Sequence, residues 1–162
     1  MAARPASVIN GWTILVHPLF LDQIAATVAD INRARRKDPI NFRKKNCAKR
    51  LAAILKLAFE DIPQNPTNPI YRQGGTIGPA FTHWHRAKFF QQYRLFFRYD
   101  LKAKIIIYAW VNDDDTKRAY DSRTDAYAVF GKMLVNGNPP NDWASLMAAA
   151  QTAATLTDLL PS

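Results

Sequence analysis

The sequence contains only one cysteine, Cys47, so no disulfide bond can form within its 162 residues. It also lacks a long hydrophobic run, because the stretch from Ile105 to Val111 is far shorter than the roughly 20 residues of a membrane-spanning helix. The residues from Met1 to Ser7 do not have the apolar core of a secretion signal. These absences exclude a disulfide scaffold and a membrane protein, and we expect a cytoplasmic protein.

Acidic residues are also scarce, with 13 Asp and Glu against 22 Lys and Arg, a net charge of +9. Residues 1–60 contain 11 basic and 4 acidic residues, residues 61–111 contain 7 and 2, and residues 112–162 contain 4 and 7. A charge imbalance of this kind favours a polyanionic partner, either nucleic acid or an acidic protein. No lipid-anchor motif accompanies it, so no membrane contact is expected.

Motifs for bound phosphates and metals are missing. Gly74-Gly75 lacks the strand and helix context of a phosphate-binding loop. His83 and His85 have no Cys or carboxylate at ligand spacing, so neither a metal site nor a cofactor is expected. His85 stays an alternative catalytic residue, although a structural role is favoured. The acidic run Asp113–Asp115 is expected to be solvated or to cap a helix.

The hydrophobic pattern predicts one globular α+β domain over residues 1–162. Residues 10–16 have the composition of a strand, and a helical hairpin is expected over 18–37 and 41–60. The hairpin contains nine Lys and Arg from Arg33 to Arg50, among them Lys44 and Lys45. This basic run is either a solvated helix surface or a contact for a polyanionic partner.

The second half of the chain predicts an antiparallel meander followed by helices. Residues 63–79 form a long loop, and period-two patterns place strands at 84–90, 93–99 and 104–111. Ser122 to Asp125 resembles a capping box that opens a helix over 123–134. A last Ala-rich helix is expected over 142–159, where it either docks peripherally or serves a partner.

Strand alternation places four cations on one face of the meander, which we expect to be exposed and concave. They are Arg86, Lys88, Arg94 and Arg98, with Trp84 and Phe96 among them. Cations that hold phosphates, interleaved with rings that stack on unpaired bases, are what single-stranded RNA requires. The alternative interpretation is a solvated polar sheet face.

The run Trp84-His-Arg-Ala-Lys-Phe-Phe-Gln-Gln-Tyr-Arg-Leu-Phe-Phe-Arg-Tyr99 resembles the core strands of RelE-superfamily toxins, in particular the YhaV toxin family. Asn10-Gly-Trp12, Trp110-Val-Asn-Asp113 and Thr124-Asp-Ala-Tyr-Ala-Val-Phe130 also match that family. The resemblance covers roughly residues 8 to 145, in order.

The resemblance implies a compact RelE-like ribonuclease toxin that cleaves mRNA, in many cases on translating ribosomes. It also implies neutralisation by a co-expressed PrlF-like antitoxin with an AbrB-type swapped-hairpin DNA-binding part, and a complex that binds operator DNA. The expected chemistry is attack of the RNA 2′-hydroxyl on the neighbouring phosphorus without a metal ion. A non-catalytic RNA- or ribosome-binding protein of the same fold is the alternative.

Matching the family's positions residue by residue gives the candidate site. The catalytic candidates are Arg86, Lys88, Arg94 and Tyr120. The match also gives the RNA-binding candidates Arg72, Lys117 and Arg118. The strand alternation adds Trp84 and Arg98 as RNA-binding candidates, and the basic run adds Lys44 and Lys45. The turn 90–92 is about one residue shorter than the family pattern. Asp113–Asp115 stands where a second catalytic arginine is expected, and Arg118 is its substitute.

Overall fold

The computed structural model describes residues 8–119 and 122–160, which are built around one mixed β-sheet. Its strands are β1 (Val8–Ile9), β2 (Trp12–Val16), β3 (His85–Phe89), β4 (Tyr93–Asp100), β5 (Ile105–Val111) and β6 (Gln151–Thr152). The order across the sheet is β1-β2-β5-β4-β3, with β6 beside β2. Only the β2–β5 pair is parallel among the described strands. The predicted antiparallel meander is therefore confirmed as β3–β4–β5.

The helices of the described part are α1 (Pro18–Lys37), α2 (Asn46–Lys56), α3 (Ile62–Gln64), α4 (Ala126–Val135), α5 (Trp143–Ala149) and α6 (Ala153–Thr157). At the start of α1, the His17 Nδ1 accepts the Leu19 N–H at 3.1 Å. The second helix of the predicted hairpin begins later than expected, after a 3₁₀ turn at Phe42–Lys44, and continues into a π-helical turn at Leu57–Asp61. None of these described helices is both long and apolar enough to cross a lipid bilayer.

Helices cover both faces of the sheet. Helices α1 and α2 pack on the face that carries Ile14, Leu95 and Ile106. Helices α4 and α5 pack on the other face, where the Phe130 ring stacks on Phe96 at 4.2 Å. The prediction of an exposed concave face is therefore wrong over most of its area, because the apolar side of α4 is itself buried against the sheet.

A β-bulge in β5 breaks the strict alternation that the sequence predicts. Phe96 pairs with Trp110 whereas Phe97 pairs with Tyr108, so one extra residue, Ala109, lies between the two pairs. Such a bulge moves the following side chains to the opposite faces. Trp110 consequently joins the α4 side, where it stacks on Phe130 at 5.7 Å.

The Ala-rich C-terminal segment is not the single helix predicted over 142–159. Ala150 is extended, with φ −74° and ψ 148°, and ends α5. The next two residues form β6, which pairs with Leu15 and Val16 of β2 before α6 begins. Because Leu146 and Leu156 are fully buried, the segment is part of the packed structure.

Candidate active site

Three predicted catalytic residues lie together at the turn end of the β3–β4 hairpin. Lys88 is directly opposite Arg94, and Arg86 is opposite Phe96, so all three side chains belong to the α4 side of the sheet. The short turn 90–92 closes this hairpin without disturbing the register. Arg94 is only 6% exposed, Arg86 is half-buried and Lys88 is exposed.

Tyr127, in the first turn of α4, joins these cations through one phenol oxygen. Its Oη accepts hydrogen bonds from Arg86 Nε at 2.8 Å and from Arg94 Nε at 3.2 Å. The guanidinium of Arg118 lies 4.6 Å from the centre of the same ring. A phenol oxygen has two acceptor positions, so these two bonds leave its own proton to be donated to a further group.

The sequence reasoning missed Tyr127 as a site residue. It appears there only within the run from Thr124 to Phe130 that matches the family. The available signal was an aromatic residue two positions after a helix-capping aspartate. Nothing local to the sequence shows that the start of α4 lies over the β3–β4 hairpin.

Asn112, which was also missed, fixes the position of Arg94. Its Oδ1 accepts the Arg94 backbone N–H at 2.6 Å, and its Nδ2 donates to the carbonyls of Gln92 at 2.9 Å and Thr116 at 2.8 Å. The Arg94 guanidinium donates to the Gln91 carbonyl at 2.7 Å. Because Asn112 is fully buried, these bonds tie the turn, the end of β5 and Arg94 into one unit.

Asp125 connects Arg118 to Tyr127. Its carboxylate accepts from the Arg118 guanidinium at 2.5 Å, from the Ala119 backbone N–H at 2.6 Å and from the Tyr127 backbone N–H at 3.1 Å. Asp125, rather than the predicted Ser122, is therefore the residue that caps α4. These bonds bring Arg118, the expected substitute for a second catalytic arginine, to the cluster.

His85 lies on the opposite face of β3, away from Tyr127. Its ring stacks on Tyr99 with centres 4.7 Å apart. Burial, with a smaller contribution from the positive charge of Arg72, lowers the pKa of His85 to about 4. Arg72 is exposed and forms an isolated β-bridge with His85. The sheet thus separates this pair from the Arg86–Arg94 cluster.

Trp84 and Arg98 both contact the segment that leads to the C-terminal helices. Trp84 is fully buried, so its ring has no open face for a base, and its Nε1 donates to Asn141 Oδ1 at 3.0 Å. The guanidinium of Arg98 lies 5.7 Å from the Trp84 ring and 5.2 Å from the Trp143 ring. It also donates to the Asn141 carbonyl at 2.5 Å, which holds the C-terminal segment on the sheet.

The predicted basic run divides into exposed and buried parts. Lys44 and Lys45 are exposed between α1 and α2. Arg50, at the end of the run, is instead buried, with its guanidinium 5.3 Å from the Tyr93 ring. It donates to the Asn112 carbonyl, and burial lowers its pKa.

The remaining candidates lie near the end of β5. Lys117 is half-buried, with its side chain 43% exposed, and its Nζ is 3.8 Å from the Asp114 carboxylate. Asp113 caps the 3₁₀ turn Asp114–Thr116, as the capping interpretation of the acidic run predicted. Tyr120 lies outside the described residues. Over residues 8–119 and 122–160, no three His, Cys, Asp or Glu side chains form a metal-binding group.

The chain is similar in sequence to known proteins of one family. The profile of a family described as a toxin with endonuclease activity, of toxin–antitoxin system, matches residues 14–151. The chain belongs to the YhaV toxin family. Toxin YhaV of Escherichia coli O6:H1 is 45% identical over 140 residues, which cover 85% of this chain and 91% of that protein. Ribonuclease toxin YhaV of Escherichia coli K12 is 44% identical over the same coverage. No solved structure gives a significant match.

The YhaV-family match contains every residue of the cluster, from Arg86 to Tyr127. Membership of a toxin–antitoxin family implies an antitoxin partner. Chemically, the cluster offers fixed guanidinium groups beside a polar hydroxyl. Fixed cations of this kind stabilise negative charge that develops on a phosphate during reaction.

Proposed function

We propose that this protein is a toxin that cleaves mRNA by attack of the RNA's own 2′-hydroxyl, without a metal ion. The observation that carries the proposal is the convergence of Arg86, Arg94 and Arg118 on Tyr127. The endonuclease activity described for the family supports it, and the name of the relative from Escherichia coli K12 supports RNA as the substrate.

In the proposed reaction, the 2′-oxygen forms a bond to phosphorus while the bond from phosphorus to the 5′-oxygen breaks. The 2′ proton passes to a base and the 5′-oxygen takes up a proton, which gives a 2′,3′-cyclic phosphate and a 5′-hydroxyl. Arg86 and Arg94 hold the phosphate and stabilise its added charge. Lys88 is the candidate for the base, and the Tyr127 hydroxyl donates to a phosphate oxygen.

The proposed setting is the cytoplasm, with cleavage coupled to translation and with a PrlF-like antitoxin as the partner. The net charge of +9 and the exposed Lys44 and Lys45 support contact with ribosomal RNA or with an acidic surface of the antitoxin. Binding of the complex to operator DNA belongs to the same proposal.

Cleavage-site mapping tests this function. Purified protein is incubated with one mRNA, first free in EDTA and then on translating ribosomes. We expect discrete cuts that leave 2′,3′-cyclic phosphate ends in at least one condition. If cuts appear only on ribosomes, the ribosome supplies catalytic groups that the protein lacks. If RNA binding is intact but no cut appears in either condition, the proposal fails in favour of a non-catalytic RNA-binding protein.

Tyr127→Phe is expected to lower kcat for RNA cleavage by about 10- to 100-fold with little change in KM. The substitution removes the oxygen that accepts from Arg86 and Arg94, so both guanidinium groups lose their common anchor. Single-turnover kinetics on a short RNA measures the effect. Tyr99→Phe, on the opposite face of the sheet, is the matched control, and equal rates for the two variants would contradict the role.

Replacing Arg43, Lys44 and Lys45 together with glutamine is expected to weaken binding to ribosomes and to reduce its salt dependence. Each lost phosphate contact lowers the slope of log affinity against log salt by roughly 0.7 to 0.9. All three side chains are exposed, so the fold is expected to tolerate the change. Ribosome pelleting at several salt concentrations measures the slope, and a slope equal to that of the wild type would count against this surface.

A further inference from the structure

A cavity lies beside the candidate active site, on the α2 side of the hairpin turn. Its volume is about 440 Å³. It is lined by Asn46, Lys49, Phe90, Gln92, Tyr93, Asp114 and Lys117. The lining therefore combines an aromatic ring at the turn, two lysines and polar side chains, and the proposed chemistry above uses none of them.

Phe90 is unusual for a turn residue. Its φ is +45°, a left-handed conformation that bulky residues adopt rarely, and the next residue, Gln91, has φ +65°. Glycine or asparagine would close such a turn with less strain. Phe90 remains 51% exposed, and its ring makes an edge contact with Phe89. The fold gains little from this side chain, and conformations of this kind are concentrated at functional sites.

The same turn forms the wall between the cavity and the arginine cluster. The Gln91 carbonyl accepts from the Arg94 guanidinium at 2.7 Å, and the Gln92 carbonyl accepts from the Arg118 backbone N–H at 3.0 Å. The turn residues 90–92 therefore lie between Arg94 and the cavity. Lys49 is exposed and the Lys117 side chain is 43% exposed, so both offer positive charge beside the cavity.

We propose that this cavity is a base-binding subsite for single-stranded RNA. An unpaired base of the nucleotide next to the cleaved phosphodiester stacks on Phe90, and Lys49 and Lys117 bind its phosphate. The Asp114 carboxylate, held by a hydrogen bond from the Tyr93 hydroxyl, accepts from N–H groups on the base edge. The subsite rests on the proposed function, because it requires RNA at the Arg86–Arg94 cluster.

The test measures binding of a short single-stranded 2′-O-methyl RNA, which lacks the attacking hydroxyl and so stays uncut. Stacking on an aromatic residue contributes enough affinity that Phe90→Ala is expected to raise Kd about tenfold. Phe90→Gly is expected to raise Kd equally while leaving the thermal unfolding midpoint unchanged or higher, because glycine relieves the strained turn. Phe90→Trp is expected to retain binding.

Leu101→Ala is the matched control, since Leu101 is 55% exposed in the turn at the other end of β4. RNAs that lack the base at a single position locate the stacked base. At that position, the loss of affinity from removing the base and the loss from Phe90→Ala are expected not to add, because both remove the same stacking contact. A Kd for Phe90→Ala equal to that of Leu101→Ala would overturn the subsite. Absence of cuts in ordinary RNA by the wild type would instead overturn the proposed reaction, and the Kd comparison would still decide the subsite.

Discussion

Arg86→Ala is expected to lower kcat/KM for RNA cleavage by about 10²- to 10³-fold and to abolish growth arrest in cells without antitoxin. Removal of one fixed donor to a developing negative charge typically has an effect of this size. Arg86 is half-buried and donates to the Tyr127 hydroxyl at 2.8 Å and to the Ile70 carbonyl at 2.7 Å. Single-turnover cleavage of a defined RNA measures the loss.

The fold is expected to survive this substitution, because Arg86 is only half-buried and one of its two acceptors, the Ile70 carbonyl, belongs to an exposed residue. Losing two such hydrogen bonds costs about 1–2 kcal/mol of the free energy of unfolding, which urea denaturation measures. Arg36→Ala, an exposed arginine on α1, is the matched control and should cleave like the wild type. Full cleavage by a folded Arg86→Ala variant would refute the role of this residue.

Trp84→Ala is expected to lower the free energy of unfolding by about 3–5 kcal/mol, a large share of the 5–15 kcal/mol typical of a domain. The Trp84 side chain is fully buried, its ring meets Phe130 edge-on at 5.1 Å, and its indole N–H donates to Asn141. Urea denaturation monitored by circular dichroism measures the change.

Trp84→Phe serves as the test if the alanine variant does not fold. It keeps most of the buried volume but loses the hydrogen bond, so we expect it to lower the free energy of unfolding by about 1–2 kcal/mol. Phe90→Ala removes an exposed ring and is the matched control, with little change in stability expected. The opposite pattern, a stable Trp84→Ala protein with weakened RNA affinity, would restore Trp84 as a stacking residue.

The sequence places on one sheet face two sets of residues that we expect to differ in role, one in stability and the other in cleavage. Trp84, Arg86, Phe96 and Arg98 alternate as the residues of one sheet face should. The pattern alone does not show which part of that face a later helix covers. In the structure, Phe130 covers Phe96, and the cations near the turn remain beside Tyr127 at the margin of this cover.

Local patterns were sufficient for most of the elements. The hydrophobic period and the Pro18 start gave α1, and the period-two runs gave the meander and the pairing of Lys88 with Arg94. They were insufficient where tertiary packing overrode periodicity. The bulge at Ala109 reversed the facing of Trp110, and the β6 strand divided the Ala-rich segment because the β2 edge offered unpaired backbone groups.

The sequence by itself determined the fold class, the basic charge, the YhaV-family membership and the placement of Arg86, Lys88 and Arg94 on one face of the hairpin. These features depend on composition, on local period and on matching residues in order. Only the tertiary structure decided which residues complete the cluster. Tyr127 lies 41 positions after Arg86, and Asn112 lies 18 after Arg94. Contacts across such separations arise from the packing of α4 and the end of β5 against the hairpin, which no local pattern in the chain encodes.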